Sequence, residues 1–336
     1  MKNCPLTILG AGSWGTALAL LLSRKEQIVR LWSYKKRHVR EMKLEGINNR
    51  YLPNYPFPKS LCVYHDLKAS LEGVNDILIV VPSFAFQTVI QNIKPYMHSR
   101  IRIAWGTKGI SIDNYLLHEV VKMKLGHIPV AVLSGPSLAT EVAAGLPTEI
   151  IIASNDTSFA CDLTKRLHSP YFRIDQNSDL VGVEICGSVK NILAIATGIS
   201  DGLFLGANAR AALITRGLTE MGRLVKALGG KQETLIGLAG LGDLVLTCTD
   251  NQSRNRRFGL ALGKGISRKD AERCVGQSIE GLHNANQIWI LAKKYKVDMP
   301  IVQQSYRILH ENLDPRQAIQ EILCCSSGTK ILETLK

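Results

Sequence analysis

The chain starts with a short apolar run, Pro5-Leu6-Thr7-Ile8-Leu9, then Gly10-Ala11-Gly12-Ser13-Trp14-Gly15, then an apolar stretch over 17–22. A short apolar run bounded by turn residues reads as a buried strand, and the longer stretch reads as a helix. The same rhythm returns, with strands predicted at 28–32, 76–82, 101–105, 130–133 and 149–153 and a short one near 172–174. Helical patterns over 86–93 and 157–168 lie between them. This alternation predicts a parallel sheet with helices on both faces. From about residue 178 the strand pattern stops. Helical patterns then cover 179–200, 207–228, 255–263, 268–273, 281–296, 301–311 and 315–324, with Pro300, Pro315 and glycine pairs at the joints. The segment 51–58, with prolines at 53, 56 and 58, reads as a stiffened loop within the first half, placed as a flap beside a ligand.

The strand–G-x-G-x-x-G–helix order gives the first half its chemistry. The first glycine makes the tight turn, the second admits a pyrophosphate to the backbone, and the third lets helix pack on strand. The helix N-terminus then offers amides and a positive dipole end. The expected fold is therefore α/β, a Rossmann-type doubly wound sheet over 1–177 followed by an all-helical domain over 178–336. Gly10, Gly12, Ser13, Trp14 and Gly15 would line the dinucleotide site. The second strand exits into Ser33-Tyr34-Lys35-Lys36-Arg37-His38, where a carboxylate would hold the 2′-hydroxyl of NAD. Without that carboxylate, the cationic residues favour NADP(H), with NAD(H) left open. A solvated basic turn is the plainer reading of the same residues.

Composition narrows the class further. With 336 residues and 46% apolar content, the chain is long enough for two globular domains. No apolar signal segment precedes the first strand, and no uninterrupted apolar run reaches membrane length, so a cytoplasmic protein without a membrane span is expected. The eight cysteines, at 4, 62, 161, 186, 248, 274, 324 and 325, show no C-x-x-C pair and no metal-ligand spacing with histidine. They read as reduced packing residues, and no metal is expected. The net charge of +13 is dispersed, and the densest cluster, Arg254-Asn255-Arg256-Arg257, lacks interleaved aromatics beyond Phe258. That argues against nucleic acid and fits an anionic small molecule.

In open α/β sheets the ligand sits at the carboxyl ends of strands, where the chain carries Val81-Pro82-Ser83, Thr107-Lys108-Gly109 and Ser134-Gly135-Pro136-Ser137. Lys108 is placed there to meet an anion, although a lysine at a turn is by default a surface residue. In the helical half, Ile185, Val189, Ile192 and Ile195 form a core face, and Lys190 sits beside it, either partly desolvated or snorkelling to water. The segment Gly237-Leu238-Ala239-Gly240-Leu241-Gly242 leads into Asp243 and Thr247, four apart on one helical face. Ser253 reads as the N-cap of a helix starting at Arg254, so amides and a guanidinium together would suit a phosphate dianion.

These segments together make the chain resemble the bacterial NAD(P)-dependent glycerol-3-phosphate dehydrogenases over nearly its whole length. The likeness rests on 10–19, 107–109, 134–137, 189–191, 208–217, 237–249 and 253–257. The resemblance implies that Lys190 is the catalytic acid/base, and that Lys108, Gly135, Ser137, Lys190, Asp243, Ser253, Arg254 and Asn255 surround the glycerol phosphate. It implies dinucleotide contacts from Ser13, Trp14, Tyr34, Tyr51, Lys108, Ala139, Arg254 and Glu280. Where the family usually has Val-Val-Glu-Gly, this chain has Ser278-Ile279-Glu280-Gly281, so Ser278 is a polar departure within that contact. Position 34 is Tyr, not the His of some relatives, which shifts a 2′-phosphate contact toward 35–37.

The implied reaction is interconversion of sn-glycerol 3-phosphate and dihydroxyacetone phosphate, mainly toward glycerol 3-phosphate for phospholipid synthesis. A homodimer is the expected assembly. Another NADPH-dependent hydroxy-acid reductase of the same two-domain architecture is the alternative. A dinucleotide-binding regulator without activity is a more distant one.

Overall fold

The computed structural model describes residues 4–324. The opening Met-Lys-Asn, Cys325 and the part of the expected helical domain over 326–336 lie outside the described residues, and the Cys324 side chain is not described. The strands are β1 (Leu6–Leu9), β2 (Val29–Trp32), β3 (Ile47–Asn48), β4 (Leu52–Pro56), β5 (Leu61–Tyr64), β6 (Asp76–Ile79), β7 (Arg102–Trp105), β8 (Val130–Ser134), β9 (Thr148–Ser154) and β10 (Phe172–Asn177). Eight of them form one sheet in the order β10-β9-β8-β7-β6-β1-β2-β5. The order changes direction between β1 and β6, which makes a topological switch point there. Every described element after Asn177 is helical.

The structure differs from the expectation in several details, among them the unpredicted edge strand β5. The sheet is not wholly parallel, because β8 and β9 pair antiparallel, with Leu133 opposite Ile152. Their connection holds only the short helix Ala139–Ala144, closed by Gly145, and the chain returns to the sheet running the opposite way. The segment 51–58 is not simply a loop. Its part Leu52–Pro56 pairs antiparallel with Ile47–Asn48 as a separate two-stranded ribbon. Proline lacks the donor a central strand needs, but a two-stranded edge tolerates it.

By contacts, the chain forms two compact units. One is the chain up to Ser188 with Val225–Asp243, and the other is Val189–Leu224 with the chain from Leu244. This division differs from the expected one at 177/178. It falls within the helix Leu180–Gly202, and the stretch around the Gly-rich segment 237–242 returns to the first unit.

In the first unit, Leu6, Ile8, Leu18, Leu22, Leu31, Leu78 and Ile150 share one buried core. In the second unit, Val189, Ile192 and Ile195 are fully buried, as their spacing predicts. There the helix Arg254–Gly263 crosses the Leu180–Gly202 helix backbone to backbone. A Cβ at Gly259 would overlap the Ile195 carbonyl, and one at Gly198 would overlap the Arg256 carbonyl. The helix Pro300–His310 starts on a buried carboxyl group, with Ile301 N and Val302 N donating to Glu220 at 2.8 and 3.3 Å.

Leu180–Gly202 is, among the described residues, long and apolar enough to cross a membrane, with mean hydropathy 1.5, although charged positions interrupt it. Most of it is buried within the protein. Only part of the cysteine expectation describes packing: Cys186 and Cys248 are buried, whereas Cys62 and Cys274 are exposed.

Candidate active site

In the first unit, β1 ends directly at the glycine turn. Gly10 has φ +124, and a Cβ there would strike the Val80 backbone at the end of β6. The turn therefore sits at the switch point, where β1 and β6 part. A Cβ at Gly15 would overlap the Gly10 carbonyl oxygen, so the third glycine is what lets the helix Ser13–Ser23 approach. Gly12, the helix N-cap, supplies no side-chain cap and has open space where a Cβ would project. The Ser13 hydroxyl donates to the Tyr51 carbonyl at 2.8 Å, which holds the β3–β4 ribbon segment against the turn. Trp14 lies against Gly106 at the end of β7, and its indole N–H is buried without a hydrogen-bond partner among the described residues. An open turn, an uncapped helix start and an orphaned indole N–H fit a dinucleotide pyrophosphate and the groups beside it.

The basic turn after β2 is divided in role. Tyr34 is 67% exposed with the Lys35 ammonium over its ring. Arg37 pairs with Glu41 at 2.8 Å on the surface. His38 is not part of a solvated turn: it is buried, with Nε2 at 2.9 Å from Asn48 Oδ1.

A second group lies at the exits of β7 and β8. Lys108 Nζ donates to the Gly135 carbonyl at 2.9 Å and to Asp243 Oδ2 at 2.8 Å. Its side chain is 16% exposed and that of Asp243 1%, so Lys108 is a paired, largely sheltered cation and not a surface lysine. The Ser137 hydroxyl donates to the same Gly135 carbonyl at 2.9 Å. Ala139 opens the short helix between β8 and β9. Neither Ala139 nor Tyr34 shares a described hydrogen bond with this group or with the glycine turn.

In the second unit, Lys190 is only 6% exposed, and Nζ donates to the Thr247 hydroxyl at 2.8 Å. The snorkelling alternative therefore gives way to a buried amine. Asn255 Nδ2 donates to Asn191 Oδ1 at 2.8 Å, and Asn255 Oδ1 accepts from Gly281 N at 2.9 Å. This joins the residue after Lys190 to the helix Glu280–Lys294. Ser253 caps the helix Arg254–Gly263 by accepting from Arg256 N, as its type and position predict. Arg254 Nη1 donates to Gln277 Oε1 at 3.2 Å, one residue before Ser278, whose hydroxyl oxygen is buried without a partner among the described residues. Behind the cap, Asp201 holds Arg256 at 2.6 Å and Arg210 at 2.8 Å.

Sequence reasoning did not reach Gln277, or the partnership of Thr247 with Lys190. Nothing local marks either one. A buried amine next to an amide chain can donate or accept one proton, and a capped helix start with a guanidinium can bind a dianion.

Two family models match the chain: the N-terminus of NAD-dependent glycerol-3-phosphate dehydrogenase over residues 5–160, and its C-terminus over 179–320. A protein of Coxiella burnetii (strain RSA 493 / Nine Mile phase I) named glycerol-3-phosphate dehydrogenase (NAD(P)+) is 68% identical over 319 residues, covering 95% of this chain and 96% of its own. A Vibrio vulnificus (strain YJ016) protein of the same name is 49% identical, covering 96% of this chain and 94% of its own. The crystal structure of the Coxiella burnetii glycerol-3-phosphate dehydrogenase superposes with a TM-score of 0.95 at 67% identity, covering 96% of this chain and 99% of that one.

Proposed function

The chain belongs to the glycerol-3-phosphate dehydrogenase family, and we propose that it interconverts sn-glycerol 3-phosphate and dihydroxyacetone phosphate with NAD(P)H. The observation that carries the catalytic assignment is the buried Lys190 amine held on Thr247 at 2.8 Å. When bound, the dinucleotide supplies the hydride that reduces the ketone. Gly10, Gly12, Ser13, Trp14, Gly15 and Tyr51 would hold it at the glycine turn, and Tyr34, Lys108, Ala139, Arg254, Ser278 and Glu280 would be its further contacts.

Lys190, protonated, gives its proton to the carbonyl oxygen of dihydroxyacetone phosphate, and in reverse the neutral amine takes the hydroxyl proton of glycerol 3-phosphate. Thr247 accepts from the ammonium and fixes its direction. Arg254, the amides after Ser253, and Asn255 bind the phosphate, and that remote binding energy orients the reacting carbon. Lys108, Gly135, Ser137 and Asp243 are assigned to the same substrate. The Lys108–Asp243 pair keeps a cation in place at the β7 exit.

The division into a dinucleotide domain over 1–177 and a helical catalytic domain over 178–336 is supported by β10 ending at Asn177. NADP(H) is favoured by the cations at 35 and 36 and the lack of a carboxylate in the turn 33–38. We further infer a cytoplasmic homodimer serving phospholipid synthesis. Its subunit contact is supported by Phe204, which is 84% exposed and held at φ +60, a conformation costly for a bulky side chain. Sedimentation of the purified protein as a monomer would remove the dimer. The activity itself is tested by following absorbance at about 340 nm, the reduced-nicotinamide band, on adding dihydroxyacetone phosphate with each cofactor. No oxidation of either cofactor would reject the function.

A further inference from the structure

We propose that Asn48 is a positioning residue for the dinucleotide, locking the Ala11–Gly12 peptide so that its N–H faces the pyrophosphate, and that His38 fixes Asn48 in turn. This rests on the dinucleotide reading of the glycine turn. Asn48 is fully buried, and Nδ2 makes two bonds, to the Ala11 carbonyl at 3.0 Å and to the Thr16 hydroxyl at 2.8 Å. A carbonyl can only accept, so the Asn48 atom facing Ala11 must be the amide nitrogen, and the other atom, Oδ1, must accept. That acceptor faces His38 Nε2 at 2.9 Å, so Nε2 carries a hydrogen. Ser33 Oγ lies 3.3 Å from His38 Nδ1, at the start of the basic turn after β2. The Ala11 carbonyl thus fixes both the orientation of the Asn48 amide and the hydrogen on His38 Nε2.

The consequence for the ligand follows from peptide geometry. In a planar trans peptide the C=O and the N–H point in opposite directions. Tying the Ala11 oxygen inward to Asn48 therefore turns the Gly12 N–H outward, over the open space beside Gly12. The Ser13–Tyr51 bond fastens the other side of the same turn, and Tyr51 N closes back on the Asn48 carbonyl at 3.2 Å. The His38 and Tyr51 rings meet edge to face at 5.2 Å. The segment from Asn48 to Tyr51 is thus a bracket that sets an amide of the glycine turn without touching the ligand, a supporting role of the kind precise binding sites need.

The experiment compares Asn48→Asp, His38→Leu and His38→Gln with the unaltered protein. Asn48→Asp keeps the shape but sets a carboxylate oxygen against the Ala11 carbonyl. NADPH affinity, read by fluorescence titration, is expected to fall about 30-fold, the loss of one charge-assisted amide contact. Affinity for 2′-AMP, which has no pyrophosphate, and kcat at saturating NADPH should change by less than about twofold, because neither uses the Gly12 amide. His38→Leu should weaken NADPH about tenfold, whereas His38→Gln restores a donor near Nε2 and most of the affinity. If Asn48→Asp fails to fold, the His38 pair decides.

Undiminished NADPH affinity in folded Asn48→Asp, equal weakening of NADPH and 2′-AMP, or no difference between the two His38 variants would overturn the proposal. The dinucleotide reading survives each of those results. It falls, and this proposal with it, only if the unaltered protein does not bind NADPH.

Discussion

Lys190 and Thr247 meet at 2.8 Å in the interior of the second unit, a primary amine donating to a hydroxyl with almost no access to water. A buried ammonium is costly without partners, and a partner of fixed position also fixes the direction in which the proton is presented. Thr247→Val keeps the shape and removes that acceptor. The expected result is a kcat about tenfold lower with NADPH affinity unchanged, seen in steady-state kinetics alongside a binding titration. An equal loss in NADPH binding would instead mean a general disturbance of the fold.

Arg254 sits at the first position of a helix capped by Ser253, with Gln277 holding its guanidinium. Arg254→Ala should raise the KM for dihydroxyacetone phosphate about a hundredfold, the scale of a lost charge-assisted contact to a dianion. With NADPH held saturating, so that the cofactor contact of Arg254 does not enter, weak turnover of unphosphorylated dihydroxyacetone should hardly change. Parallel losses with both ketones would take the phosphate role away from Arg254.

The crossing at Gly259 leaves no room for a methyl group against the Ile195 carbonyl. Gly259→Ala should destabilise the protein by about 3 kcal/mol, because backbone has to move. It should also lower kcat, since Lys190 and Arg254 lie on the two crossing helices. Calorimetry with an unshifted melting temperature would show that the crossing can relax.

Glu220 supplies a pH dependence whose sign can be worked out. Burial, the largest effect, pushes its carboxyl up to about 7, against donation from Ile301 N and Val302 N and attraction from Arg223, with Asp298 pushing the same way as burial. A carboxyl raised on folding holds its proton more tightly in the folded state. Its contribution to stability is complete below the ordinary value of about 4.5 and is lost as pH rises toward 7. Melting temperature should therefore fall across that window in the unaltered protein more than in Glu220→Gln. Identical profiles would remove Glu220 as the source.

How much of this was legible in the chain depends on how local each feature is. The glycine turn and the Ser253 cap are readable because neighbouring residues decide them, whereas the glycines of 237–242 do not reveal that the chain is already helical from Leu238. The antiparallel pairing of β8 with β9 is not readable either, since strand direction is set by where the chain returns in space. Pro53 and Pro56 argue for a loop, yet both lie in β4, which pairs with β3 as a two-stranded edge. His38 looked like part of a basic surface turn, and only the return of Asn48 beneath the glycine turn explains its burial. The same holds for Lys190. Its helix face was legible, but its hydroxyl partner comes from a distant segment.

The most direct test of the account is pre-steady-state reduction of dihydroxyacetone phosphate by Lys190→Ala at saturating NADPH, with NADPH binding titrated on the same sample. The expected result is a hydride-transfer rate lower by about a thousandfold, within the range for removing a general acid, with cofactor affinity intact. A rate near that of the unaltered protein would contradict it.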